Sequence, residues 1–114
     1  MRPDDTSRLI DIVLAAREAI ELAEGATQDV LMETRTLQLS LVKLIEVIGE
    51  AASRLTGETK SAIADVPWID IIGMRHRLVH DYMSIDYDVV WEVVQLDLPA
   101  LIQSIEAAFP DLAS

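Results

Sequence analysis

The chain has 114 residues, which is enough for one domain and short for two. Hydrophobic residues make up 51% of it and aromatic residues only 4%, so the core must be aliphatic. The lack of cysteine excludes a disulfide scaffold, a thiolate nucleophile and cysteine-ligated zinc. A net charge of -11 argues against a surface that attracts nucleic acid as a whole, but it leaves room for a small basic site.

The N-terminal segment has no features of an export signal. Asp4 and Asp5 stand where a signal peptide carries basic residues, and charges interrupt the apolar residues that follow. No uncharged run reaches the roughly 18 residues that a membrane span requires. We therefore expect one cytoplasmic domain over residues 1–114, with no membrane segment.

Helical periodicity runs through nearly the whole chain. The cluster Asp4-Asp5-Thr6 offers good N-cap residues, and apolar residues then recur every three or four positions. This pattern predicts a first helix over residues 5–24, which Gly25 stops. A second helix is predicted from about residue 28 to residue 56, with a bend near residues 34–36 and an end at Gly57.

The second helix is apolar on more than one side. Leu39, Val42 and Val47 lie off its main apolar stripe. A helix of this kind must be buried on more than one side, and in so small a chain a second subunit is the simplest cover. We therefore predict a homodimer that is built on the second and third helices.

A short connection over residues 58–66 leads to the third predicted helix. Pro67 suits the first turn of this helix, which runs over residues 67–82. Ser84 or Asp86 then caps a fourth helix.

Two prolines interrupt the last part of the chain. Pro99 lies inside the pattern of the fourth helix and is expected to kink or break it near residues 96–98. Pro110 is expected to end the ordered fold. No segment alternates with a period of two, so no sheet is predicted. The fold class is therefore all-α, an antiparallel bundle of four or five helices.

The polar residues of the third helix form a cluster that could carry chemistry. Both histidines of the protein, His76 and His80, share a helix face there, together with Arg75 and Arg77. In one interpretation the arginines pair with acids and the histidines cap a helix end. A metal site is a weaker interpretation, because His-x-x-x-His has no third ligand at suitable spacing. In a phosphodiester site, arginine would supply a fork for phosphate and histidine would move protons.

Three sequence blocks, in order along the chain, resemble the HepT-type toxins of the HEPN superfamily. They are IGEAA, which contains Gly49 and Glu50, then PW-x-x-I-x-GMR-x-x-LVH-x-Y, and finally VW-x-x-V. Arg75, His80 and Tyr82 occupy the family signature Arg-x4-His-x-Tyr. The resemblance covers about residues 7–108 and implies a HEPN-like helical fold.

The residue after the signature arginine departs from the family pattern. That residue is usually asparagine or another small polar residue, and here it is His76. The position is thought to help orient the catalytic pair, and an imidazole can still donate or accept a hydrogen bond. We assign His76 a supporting role.

The resemblance implies the toxin of a type II or type VII-like toxin–antitoxin pair, acting as a metal-independent endoribonuclease without a cofactor. Arg75 would stabilise the transition-state charge and His80 would carry the proton, in a groove at the dimer interface. The implied partner is a minimal nucleotidyltransferase antitoxin, which in some pairs adenylylates the motif tyrosine, here Tyr82. The alternative is a non-catalytic HEPN module that binds nucleotide or scaffolds the nucleotidyltransferase.

Overall fold

A computed structural model of the chain describes residues 1–79 and 84–113. The α-helices in these ranges are α1 (Pro3–Ala23), α2 (Gln28–Glu33), α3 (Arg35–Ser53), α4 (Gly57–Ala62), α5 (Trp68–Ile72), α6 (Met74–Leu78), α7 (Tyr87–Glu92) and α8 (Leu98–Ala108). A π-helical turn (Val93–Asp97) joins α7 to α8, and a 3-10 turn (Pro110–Ala113) follows α8. Extended pairing within the described ranges is limited to one isolated bridge, between Val79 and Ile85. The all-α prediction is therefore confirmed, and none of the described helices is long and apolar enough to cross a membrane.

The two longest helices, α1 and α3, pack side by side and run antiparallel. Near the start of α1, Arg8 donates a hydrogen bond to the carbonyl oxygen of Arg54, which follows the end of α3. Helix α8 packs on α1, whereas α5 and α6 pack on α3. The core between these helices is aliphatic, as the composition predicts. Its largest fully buried side chains are Leu9, Ile12, Leu31, Leu41, Ile45, Ile48, Ile63, Met74, Leu78, Val90, Leu98 and Ile105.

The start of α1 differs from the predicted one. The helix begins at Pro3, and Asp5, which was predicted to cap it, is fully buried inside its first turn. The Asp5 carboxylate accepts hydrogen bonds of 2.6 Å from the hydroxyl groups of Thr56 and Thr59. These bonds, the one from Thr56 foremost, lower the pKa of Asp5 even though burial acts to raise it. Asp5 therefore ties the start of α1 to the start of α4, a tertiary role that local sequence does not reveal.

The bend predicted near residues 34–36 is confirmed, because α2 and α3 meet at Thr34. The side chain of Gln38, which is buried, holds the junction together. Its amide nitrogen donates to the carbonyl oxygens of Leu31 at 2.9 Å and Met32 at 3.1 Å at the end of α2, where the Leu31 oxygen also accepts from the N–H of Thr34. The predicted end at Gly57 is wrong, since α3 ends at Ser53 and Gly57 is the first residue of α4.

The predicted third helix is two short helices rather than one. Gly73 separates α5 from α6, with its N–H donating to the carbonyl oxygen of Ile69 at 3.0 Å. Helix α6 ends at Leu78, and Val79 already has an extended backbone. A single helix over residues 67–82 is therefore wrong, because Gly73 interrupts it and Val79 already has an extended backbone.

The last helices follow the prediction in outline. Asp86, one of the two predicted caps, accepts hydrogen bonds from the N–H groups of Asp88 and Val89 at the start of α7. Pro99 widens the helix instead of breaking it: the Leu98 N–H bonds to the Val93 carbonyl, five residues back. A π turn makes room for the proline ring, which clashes with the preceding turn of a regular α-helix.

The expectation that order ends at Pro110 is wrong. A 3-10 turn begins at this residue, and the Leu112 N–H donates to the carbonyl oxygen of Phe109 at 3.0 Å. The side chain of Leu112 is half-buried against the core. The apolar packing of Leu112 thus continues the fold beyond the proline.

Candidate functional site

Arg75 lies on α6 and extends across the surface of α3. Its Nε donates a hydrogen bond to Oε1 of Glu46 at 3.0 Å. The Arg75 side chain is nevertheless 63% exposed, and its terminal amino groups donate to none of the described residues. Because Glu46 engages only Nε, the guanidinium is oriented, and no residue in the described ranges occupies its two-pronged end. This is the geometry in which arginine binds a phosphate oxygen pair.

Gly49 explains how the chain brings Arg75 to α3. A Cβ atom on Gly49 would lie 3.3 Å from the carbonyl oxygen of Ile72 and 3.5 Å from that of Ile71. The end of α5 can therefore approach α3 this closely only because residue 49 has no side chain. The turn at Gly73 then starts α6, which places Arg75 over the same face of α3. The glycine of the IGEAA block and the signature arginine are thus two parts of one packing arrangement.

A groove of about 590 Å³ runs between α1 and α3 and reaches Arg75. Four of the nine basic residues of the protein line it, in a molecule whose net charge is -11. Three acids accompany them. These charged residues are Arg8, Lys43, Arg54 and Arg75, with Asp11, Glu46 and Glu50. The groove is therefore locally cationic by one charge, and we call it the α1–α3 groove.

His76 and Arg75 line a second, smaller cavity of about 200 Å³ beside α3. Glu46, Gly49 and Glu50 also border this cavity. The His76 side chain is exposed, so its imidazole is accessible to solvent and to a ligand in this cavity. Arg75 borders both the small cavity and the α1–α3 groove, and so joins the two.

Two further site predictions, His80 and Tyr82, lie outside the described residues. The structure therefore places the arginine of the signature and its neighbour His76, whereas the geometry of the histidine and the tyrosine stays a prediction. Within the described ranges, no three acidic or histidine side chains are grouped so that they could hold a metal ion.

Arg77 points to a different part of the molecule from Arg75. Its NH1 group contacts Oδ2 of Asp97 at 2.8 Å, and it lines a cleft between α5 and α8. The interpretation that both arginines pair with acids is thus confirmed, since Arg75 meets Glu46. The two pairs differ in setting, because only Arg75 borders the α1–α3 groove.

Sequence reasoning missed Glu46 as a site residue. Its partner Arg75 is 29 positions away, so no local spacing links the two. The available signal was the series Glu46, Glu50 and Arg54, with steps of four along one face of a long helix. Arg54 indeed contacts Oε1 of Glu50 at 2.8 Å, which shows that this face of α3 is a row of charges.

The fold and the site define an all-α protein that presents an oriented, open arginine beside a cationic groove. The chain belongs to the HepT-like ribonuclease family, whose model matches residues 12–108. It is 33% identical over 88 residues to a protein of Thermococcus cleftensis named as a probable ribonuclease HepT, covering 74% of this chain and 80% of that protein. Two Methanocaldococcus jannaschii proteins with provisional RNase names are also similar. One is 28% identical over 98 residues, covering 86% of this chain and 90% of that protein. The other is 28% identical over 111 residues, covering 97% of this chain and 92% of that protein. No solved structure shows a significant match.

Proposed function

We propose that this protein is a cytoplasmic, metal-independent endoribonuclease and the toxin of a toxin–antitoxin pair. The observation that carries the proposal is the Arg75 guanidinium, which is held by Glu46 through Nε and makes no other contact of this kind within residues 1–79 and 84–113. It is supported by membership of the HepT-like family and by the signature that Arg75 shares with His80 and Tyr82.

The chemistry needs a proton carrier and an anion clamp. In the proposed reaction, the ribose 2′-oxygen loses its proton, attacks the adjacent phosphorus and displaces the 5′-oxygen, which gains a proton. The products are a 2′,3′-cyclic phosphate and a 5′-hydroxyl end, and no metal is required. His80 serves as proton carrier, and Arg75 stabilises the charge that builds on the non-bridging oxygens. His76 borders the same cavity as Arg75 and supplies a second, supporting imidazole.

A homodimer would bring two copies of this machinery together. Of the three apolar residues on which the dimer prediction rests, Leu39 is 55% exposed, whereas Val42 and Val47 are half-buried. The uncovered leucine supports a partner on this part of α3, because burying the 55% of it that is exposed would gain roughly half of the 1.5–3 kcal/mol of a fully exposed side chain. Two-fold symmetry would then place two copies of Arg75, and two each of His80 and His76, around one groove at the dimer interface.

A minimal nucleotidyltransferase would silence the toxin by modifying the groove at the dimer interface. Transfer of AMP from ATP to the Tyr82 hydroxyl would release pyrophosphate and leave a phosphodiester beside the signature residues. That anion would compete with RNA for the Arg75 fork and repel an incoming phosphate. Tyr82→Phe would then block AMP addition, detected as a missing mass increase, and leave a toxin that the partner cannot modify.

The experiment that tests the function compares Arg75→Ala and His80→Ala with Arg77→Ala as a matched control. We expect each site variant to lose about 100- to 1000-fold in RNA cleavage rate, because removal of one charge-stabilising donor has an effect of this size. Arg77→Ala should retain activity, since its side chain lies on another face. Cleavage should continue in EDTA, yield cyclic-phosphate ends and spare DNA, which has no 2′-hydroxyl.

Unchanged cleavage by folded Arg75→Ala would remove the arginine from the mechanism. The non-catalytic alternative is favoured by the engagement of Arg75 with an acid in this structure. It makes the opposite prediction for the wild type, namely binding of AMP or RNA without any cleavage product. Growth arrest on expression without the partner, relieved by His80→Ala, would separate the toxin from the scaffold in cells.

A further inference from the structure

The α1–α3 groove has no assigned role, although it leads directly to Arg75. Besides Arg75, its cations are Arg8 on α1 and Lys43 and Arg54 on or just beyond α3. We propose that this groove binds the phosphate backbone of a single RNA strand and guides it to Arg75. That the bound strand is RNA rests on the proposed function. The path of the strand is argued from the groove residues alone.

The donors in the groove are only partly occupied. Glu50 binds Nε and NH2 of Arg54 through a single oxygen, Oε1, and NH1 of Arg54 donates to no side chain in the part of the chain that the structure describes. Lys43 is exposed and makes no ion pair with any of the described residues. Each of these groups can bind a phosphate without breaking an existing interaction, as Arg75 can.

The length of the groove suits several phosphates. Lys43 and Arg54 are eleven positions apart on one side of α3, a span of about 16 Å at 1.5 Å per residue. Among the described residues, the rest of the lining is acidic or small and aliphatic and offers no aromatic ring on which a base could stack. Binding here should therefore depend on backbone charge and be tolerant of sequence.

Asp11 gives the proposal an internal control of opposite sign. This acid lies in the groove on α1, is exposed, and makes no ion pair with the described part of the chain. If a strand occupies the groove, Asp11 repels it and Lys43 attracts it. Removing the charge of Asp11 must then tighten RNA binding, and removing the charge of Lys43 must weaken it. A general loss of folding cannot produce these opposite effects.

The test measures binding of a 2′-O-methyl RNA oligonucleotide, which cannot be cleaved because its 2′-oxygens are blocked. Fluorescence anisotropy across a KCl series should show Lys43→Gln and Arg54→Gln each binding several-fold more weakly than wild type. Their log–log salt slopes should fall by about 0.7 for each phosphate that the variant no longer neutralises. Asp11→Asn should bind more tightly, and Lys60→Gln on α4, away from the groove, should match the wild type.

Equal affinity of Lys43→Gln, Asp11→Asn and Lys60→Gln would overturn the groove proposal, while cleavage of ordinary RNA by the wild type would still support the function. The converse result is equally clear. Charge-dependent binding of the oligonucleotide without cleavage of ordinary RNA would support the groove and refute the nuclease. Thermal melts confirm that the compared proteins are folded; Asp11, Lys43 and Arg54 are exposed and Lys60 is half-buried.

Discussion

Substitution of Gly49 tests whether the close approach of α5 to α3 is what positions Arg75. A Cβ atom at residue 49 would lie 3.3 Å from the carbonyl oxygen of Ile72, so α5 would have to move by a few tenths of an ångström. Gly57 provides the matched control. It also lies in a helix and has a negative φ, but a Cβ atom there would meet no atom within 4 Å.

The two positions predict different free energies of unfolding. Gly57→Ala should gain about 0.4–1 kcal/mol, because the unfolded chain loses freedom and nothing clashes. Gly49→Ala should gain less, since displacement of α5 offsets the improvement in helix propensity. Gly49→Val adds a Cβ atom and two methyl groups beside carbonyl oxygens that the Cβ atom alone would already contact, and overpacking of this kind costs about 1–3 kcal/mol. For a chain of this size, that is a decrease in Tm of roughly 4–12 °C.

Urea unfolding of the four variants, with alanine and valine at each glycine, measures these differences directly. RNA cleavage by the same proteins, assayed well below their melting temperatures, then reports whether Arg75 has moved. We expect Gly49→Val to lose most of its activity while still folded, and Gly57→Val to retain it. If Gly49→Val is as stable and as active as Gly57→Val, the close contact between α3 and α5 does not position the site.

Three further predictions concern charge and assembly. The pKa of Asp5 is lowered in the fold, so the ionised carboxylate contributes fully to stability above about pH 4, and this contribution is lost as the pH falls through the lower pKa of the folded state. Asp5→Asn should be less stable than wild type at pH 7. Its free energy of unfolding, measured by urea titration, should also fall less than that of the wild type as the pH is lowered below about 4. Arg77→Gln breaks a half-exposed pair with Asp97 and should change stability by less than about 1 kcal/mol, with cleavage within twofold of wild type. Leu39→Glu should convert a sedimenting dimer to a monomer, whereas Leu96→Glu, at a residue that is 63% exposed in the π-helical turn, should not. A dimer that survives Leu39→Glu would place the interface elsewhere.

The periodicity of apolar residues was sufficient to predict the helices in which a buried side chain recurs every three or four positions. Helix α1 ends one residue before the predicted end, because Gly25 adopts a positive φ of 79° that terminates a helix. The role of Asp5 could not be predicted in this way. Its partner Thr56 is 51 positions away, and an aspartate near a helix start looks like a cap until the tertiary contact is known.

In the site too, the sequence predicted features that depend on neighbouring residues but not those that depend on residues far apart in the chain. Arg75 stood out because basic residues and histidines are clustered within a few positions of an acidic chain. The resemblance to HepT-type toxins then singled out Arg75 from Arg77, which composition alone treats alike. What the sequence could not provide was the orientation of the guanidinium, because that depends on Glu46 and on the space left by Gly49.

The uneven distribution of charge gives the proposed RNA site its selectivity. A surface with a net charge of -11 repels a polyanion, and at physiological salt this repulsion decays over about 8 Å. A strand is therefore attracted only where cations outnumber acids locally, as they do by one charge in the α1–α3 groove. Strong general affinity for RNA would hold the strand in many registers, most of them unproductive. Weak affinity confined to a groove that Arg75 lines instead favours the register in which a phosphodiester reaches the guanidinium.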